Sequence, residues 1–133
     1  MNLIPAKYAP EESMTQFLKQ NGDINKAALR ADGYVTEVDA ELVGCFILEP
    51  LTEDTYMLKQ LYMTHTELLK LPALIEAILV LLKDMHASKL FINSHQKMLD
   101  IILSALQFYP QSECELLENY PSDNGKWWSY QLM

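Results

Sequence analysis

The sequence predicts a mixed α/β (α+β) domain in which a central sheet of about six or seven strands is flanked by about four helices. Three stretches carry that reading. Tyr34 to Leu48 alternates and then runs apolar, as a half-buried and then a fully buried strand would. Tyr56 to Asn93 reads as a strand, a strongly apolar helix and a second strand, and Lys126 to Leu132 is aromatic and strand-like. A strand, helix, strand crossover needs a parallel strand pair with the helix on one face of the sheet. The turn into such a helix offers outward-pointing N–H groups, a natural anion site.

At the start, Leu3 and Ile4 form a short strand ended by Pro5. Pro10 followed by Glu11 and Glu12 opens a helix, with carboxylates at the positive end of its dipole. Met14, Phe17 and Leu18 share one face of it, up to a stop at Asn21-Gly22. Asp23 is a cap for a second short helix carrying Ile24, Ala27 and Ala28, ended by Asp32-Gly33. Tyr34 to Asp39 and Leu42 to Leu48 then make a hairpin about a tight turn at Asp39-Ala40-Glu41, and Thr52-Glu53-Asp54 turns the chain into the strand Tyr56 to Met63.

The apolar helix begins near Pro72, where a missing N–H costs nothing, and runs to Met85. Its polar residues Glu76, Lys83 and Asp84 cluster on the helical wheel, so protein is expected over nearly all the rest. Leu90 to Asn93 supplies the parallel strand. Ser94 or Asn93 caps a helix from Gln96 to about Phe108, with Lys97, Asp100, Ser104 and Gln107 opposite Met98, Leu99, Ile102, Leu106 and Phe108, and Pro110 stops it. Glu113 to Glu118 and Lys126 to Leu132 form a closing hairpin, with Trp127 facing the core and Trp128 facing outward as a homodimer or binding face.

The 133-residue length suits one domain spanning 1–133. A net charge of -8 argues against nucleic acid or anionic membrane as a partner, since both are bound largely through Lys and Arg. The two cysteines, Cys45 and Cys114, have no metal-ligand spacing and fit free thiols. Met1 to Pro5 lacks the basic and apolar segments of a signal peptide, and the longest apolar run of the helix, Ala77 to Leu82, falls far short of the ~20 residues that span a bilayer. The expected location is the cytoplasm.

Among polar residues, His65 and Lys70 lie at the strand-to-helix turn, where both could offer positive charge to an anion. His86 and His95 share no ligand spacing with His65, so no metal site is expected. No Gly-x-Ser-x-Gly elbow occurs, and Ser94-His95 has no acidic third member nearby.

The whole order of elements resembles the GCN5-related N-acetyltransferase (GNAT) superfamily. The local matches are Val38-Asp39-Ala40-Glu41-Leu42-Val43-Gly44, similar to the family's second hairpin, and Leu106-Gln107-Phe108, similar to its Leu-Gly-Phe with the glycine replaced. The resemblance implies acetyl-CoA at a splay between the fourth and fifth strands, here Tyr56 to Met63 and Leu90 to Asn93. By position it assigns cofactor contacts to Leu61, Met63, Thr66, Leu69, Lys70 and Leu71. The family's phosphate signature, Arg/Gln-x-x-Gly-x-Gly/Ala, falls in register on Thr66, Leu69 and Leu71, and none of the three matches. The tyrosine that acts as general acid in many members is replaced by Leu103, and Glu49, Glu53 and Asp54 are the candidate bases.

Two functions follow from that resemblance. One is a GNAT-like protein in which acetyl-CoA binding and N-acetyl transfer are weakened or lost and the scaffold binds a ligand or protein partner. The other is an active N-acetyltransferase that moves acetyl from acetyl-CoA to an amine of a small molecule or protein.

Overall fold

Residues 1–22, 24–111 and 125–132 are described by a computed structural model, His65 and Thr66 through their backbone alone. Along the chain the elements are β1 (Asn2–Pro5), α1 (Glu11–Gln20), α2 (Lys26–Asp32), β2 (Gly33–Val38), β3 (Glu41–Pro50), β4 (Thr55–Met63), α3 (Leu71–Asp84), β5 (Lys89–Ser94), α4 (Lys97–Ala105), β6 (Tyr109–Pro110) and β7 (Lys126–Gln131). Short 3₁₀ turns at Ala6–Tyr8 and His65–Lys70 precede α1 and α3. Among the described residues the sheet has seven strands, hydrogen-bonded in the order β1-β2-β3-β4-β5-β7-β6. β4 and β5 run parallel, whereas β1–β2, β2–β3, β5–β7 and β6–β7 are antiparallel. The expected mixed sheet and its four α-helices are therefore present.

By internal contacts the chain divides into two compact units, the first formed by Met1–Glu49 and Lys59–Leu74, the second by Pro50–Leu58 and Ile75–Met133. In the first, Val35 and Cys45 face each other across β2 and β3 and, with Ile47, meet Met14, Phe17 and Leu18 of α1 and Leu29 of α2. All are buried. Each such side chain contributes about 1.5–3 kcal/mol by leaving water, so this packing is what holds two short helices in place. Val43 to Leu48 is buried without a break, as a central strand should be.

The β2–β3 turn sets Asp39 at φ 51° and Ala40 at φ 67°, the double left-handed geometry of a two-residue hairpin, here made without glycine. α2 starts later than expected: the Asn25 side-chain oxygen accepts the Ala28 N–H at 3.1 Å, so Asn25 holds the capping place that the sequence reading gave to Asp23, which lies outside the described residues.

In the second unit, Thr55–Leu58 of β4 pairs with Lys89–Ile92 of β5, and β5 in turn pairs along its whole length with β7. α4 is fixed to β7 by the Trp128 indole N–H, which donates to Asp100 at 2.8 Å, and by Phe108 packed 5.0 Å from the Tyr130 ring. The two tryptophans are thus the reverse of expectation: Trp128 is buried, while Trp127 lies half-buried on the opposite face beside Met57 and Phe91. The phase of alternation is set by register with β5, which the strand's own sequence does not contain.

α3 buries Leu71, Leu74, Ile75, Ile78, Leu79 and Leu82 but leaves Val80 59% exposed, so it is amphipathic rather than covered nearly all round. α4 also differs from expectation. It ends at Ala105, Met98 is exposed and Leu103 is buried. Both α3 and α4 close with a left-handed residue that is not glycine, His86 at φ 61° and Gln107 at φ 73°. The caps themselves are regular: Ala87 N–H donates to Leu82 C=O at 2.9 Å, and Phe108 N–H to Leu103 C=O at 2.9 Å. Neither Asn93 nor Ser94 caps α4, because both belong to β5; Gln96 is the N-cap. Among the described residues Tyr109 and Pro110 form an edge strand, a position that tolerates proline, and the expected strand Glu113 to Glu118 lies outside the described residues, as does Cys114.

Candidate functional site

The site begins in β4, whose alternation is broken by two consecutive exposed residues, Lys59 and Gln60. Gln60 takes φ 48°, a left-handed kink within a strand and a costly one for a residue with a Cβ. Its surroundings hold it there. The side-chain oxygen accepts the Asn25 N–H at 3.1 Å, at the start of α2, and its carbonyl accepts the Cys45 thiol at 3.7 Å. Parallel pairing of β4 with β5 ends just before the kink, at Leu58 opposite Ile92. These consecutive polar residues were the visible sign of the kink, and the sequence reading passed over them.

Beyond the kink, Met63 is buried, Leu61 and Tyr62 are half-buried, and Tyr62 meets Phe17 edge-on at 6.2 Å. β3 comes close on the other side: a Cβ on Gly44 would stand 2.6 Å from the Tyr62 carbonyl oxygen, so glycine is needed for this approach. Thr64 N–H donates to Val43 C=O at 2.7 Å and ends the strand.

The chain then enters α3 through a full 3₁₀ turn rather than an open loop. Glu67 N–H donates to Thr64 C=O at 2.9 Å, and Leu71 N–H donates to Leu68 C=O. Pro72 has no N–H. Lys70 lies 2.7 Å from the Glu67 carboxylate, its charge already matched, and Leu69 is 96% exposed. An anion at this turn would find the Leu71 donor taken, the Pro72 donor missing and Lys70 paired with Glu67. Leu71 and Pro72 therefore offer no free backbone donor to an anion. Thr66 contributes its backbone to the 3₁₀ turn.

The candidate bases fall in different units. Glu49, in the first, pairs with Lys59 at 3.2 Å. Glu53 and Asp54, in the second, are exposed in the turn before β4. The Ser88, Thr52 and Thr55 hydroxyls hold the Asp54 carboxyl below its ordinary value of 3.8, and its carbonyl accepts the Ser88 N–H at 2.7 Å. Such a carboxylate ties β4 to the start of β5 and is a poor proton acceptor. Leu103, at the position of the family's general acid, is fully buried and has no proton to give. Among the described residues no group of three or more His, Cys, Asp or Glu side chains is placed to hold a metal ion.

No family model matches the sequence, and no curated protein matches it either. Solved structures do. N-acetylglutamate synthase from Neisseria gonorrhoeae, complexed with coenzyme A and N-acetyl-glutamate, superposes with a TM-score of 0.72 at 18% identity over 99% of this chain and 35% of its own. This chain thus spans about a third of that enzyme's length. A GNAT-family acetyltransferase from Staphylococcus aureus MU50 gives a TM-score of 0.71 at 16% identity, with 99% of both chains covered. Another from Elizabethkingia anophelis, with acetyl-CoA bound, gives 0.60 at 14% identity over 92% of this chain and 83% of its own. The chain is built on the fold of the GCN5-related N-acetyltransferase superfamily.

Proposed function

We propose that this is a GNAT-fold, acetyltransferase-like protein in which acetyl-CoA binding and N-acetyl transfer are weakened or lost, leaving a cytoplasmic domain that binds a ligand or protein partner. The carrying observation is the β4–α3 turn, in which Leu71 N–H is bonded to Leu68 C=O, Pro72 has no donor and Lys70 is paired to Glu67. The buried Leu103 supports the same reading, since proton delivery to a leaving thiolate would need another group.

Calorimetry and thermal shift with acetyl-CoA test it. A ligand that binds only the folded state raises stability as RT ln(1 + [L]/Kd), so a Kd near 1 mM predicts a rise of at most about 0.4 kcal/mol at equal concentration. A Kd below ~10 μM would give about 2.7 kcal/mol at 1 mM and would overturn the proposal.

The second reading is an active N-acetyltransferase whose acceptor is the amine of a small molecule or protein. It is favoured by the kink at Gln60 and the short β4–β5 register, which leave β4 beyond Leu58 unpaired with β5 where the resemblance expects the cofactor. Release of free thiol from acetyl-CoA with an amine panel distinguishes it.

A further inference from the structure

We propose that the outer face of α4 receives a second copy of this chain, the two helices packing antiparallel about a two-fold axis near Ile101. α4 carries more apolar surface than its own chain covers. On its inward side Leu103 is buried and Leu99 and Ile102 are half-buried, while on the opposite side Ile101 is 70% exposed and Met98 46%. A helix that is apolar all round is ordinarily buried all round. The sequence pattern placed Asp100 on the solvated face, but the bond from the Trp128 indole draws this carboxylate towards β7. What remains outside is Met98, Ile101, Ser104 and Ala105, with Lys97 at the start of the helix.

Charge selects the occupant. The net charge of -8 opposes self-association over most surfaces of this chain, and the outer face of α4 is free of carboxylates, so two copies can meet there without that repulsion. Lys97 stands at the positive end of its own helix dipole and makes no ion pair among the described residues. In an antiparallel pair it comes beside the negative C-terminal end of the other α4, and the relation is mutual. A parallel pair would set the two cations side by side.

Shape agrees with charge. Met98, Ile101 and Ala105 recur at i, i+3 and i+7, the spacing of a helix–helix seam. Antiparallel packing about Ile101 sets the large Met98 of each copy against the small Ala105 of the other, and Ile101 against itself. Such self-complementarity is what a two-fold interface requires. A helix of 9 residues covers less than the ~1,200 Å² at which stable interfaces begin, so the dimer is weak, half-formed on the order of 100 μM. The inference goes beyond the reading above and holds whether or not acetyl-CoA binds.

Sedimentation equilibrium of the full chain from about 5 μM to about 1 mM tests it. A reversible monomer–dimer equilibrium is expected, weakened about tenfold or more by Ile101→Glu, which sets two carboxylates at the axis, and about threefold by Lys97→Glu, the latter effect shrinking at high salt. In a chain carrying Cys114→Ser, the further change Ile101→Cys is expected to give a disulfide-linked dimer with diamide as oxidant, and Lys97→Cys is not. A chain that stays monomeric at the highest concentration, a dimer unmoved by Ile101→Glu, or crosslinking at Lys97→Cys as fast as at Ile101→Cys would overturn the proposal. So would a fall in Tm of the dilute Ile101→Glu chain, or its failure to fold, the result expected if this face is covered within a single chain.

Discussion

The Phe108 N–H reaches back over Gln107 to the Leu103 carbonyl at 2.9 Å, and the bond closes only because Gln107 stands at φ 73°. Gln107 thus fills the left-handed C′ position of the helix cap, where glycine is the usual residue. With a Cβ the same conformation costs roughly 1–2 kcal/mol. Gln107→Gly is therefore expected to stabilise the protein by about 1 kcal/mol, while Gln107→Ala gives no gain, as urea unfolding will show.

The same logic applies to the hairpin. Ala40 occupies φ 67° in the turn between β2 and β3, and Ala40→Gly creates the Asp-Gly pair preferred there. A gain of about 0.5–1 kcal/mol in thermal or urea unfolding is expected, with no change in the circular dichroism of the folded state.

Burial pushes the Cys45 thiol up to about 12 from an ordinary 9.0. The sign follows from the raised value: the folded state keeps its proton where the unfolded chain has lost it. The stability this contributes is complete below pH 9.0 and is lost progressively as pH rises towards 12. Cys45→Ala should flatten that alkaline loss, and thiol reagents at neutral pH should modify Cys45 only as fast as the protein opens.

Asp54 titrates in the opposite sense. Its carboxyl is held below 3.8 by the Ser88, Thr52 and Thr55 hydroxyls, so its contribution to stability is complete above pH 3.8 and declines as pH falls through the folded value. Asp54→Asn should lower Tm at neutral pH, and the difference from the parent chain should shrink below pH 3.8.

The indole bond of Trp128 to Asp100 joins β7 to α4. Hydrogen bonds to charged groups contribute about 1.5–3 kcal/mol, and Trp128→Phe removes this one while keeping an aromatic ring. A loss of that size in urea unfolding, restored in part by the further change Asp100→Leu, is the expected outcome.

Most of the element order was legible in the sequence because period, proline and glycine positions speak locally. The crossover from β4 through α3 to β5 and the start of α1 at Pro10 and Glu11 are of that kind. The exposure of Val80, the exchange of Trp127 and Trp128 and the end of α4 at Ala105 depend on what packs against each element, which no single stretch encodes. The departure of Thr66, Leu69 and Leu71 from the family's pattern was readable in the sequence, whereas the Leu71–Leu68 bond and the Lys70–Glu67 pair needed coordinates. At Gln60 the consecutive polar residues Lys59 and Gln60 were a visible sign, but the left-handed backbone itself has no sequence signature.

The contact between Gln60 and Asn25 spans 35 positions, and the unit it belongs to is interrupted between Glu49 and Lys59. During synthesis the helices α1 and α2 emerge well before the strand that anchors the first turn of α2. The first 49 residues carry Val35, Cys45 and Ile47, which cover Phe17 and Leu29, whereas the Gln60 bond at the start of α2 and the Tyr62 ring against Phe17 wait until β4 has been made. A fragment ending at Glu49 lacks β4, the strand beside β3, and should be prone to self-association along that unpaired edge. The kinked residue of β4 thus marks a time in the life of the chain as well as a place in the fold.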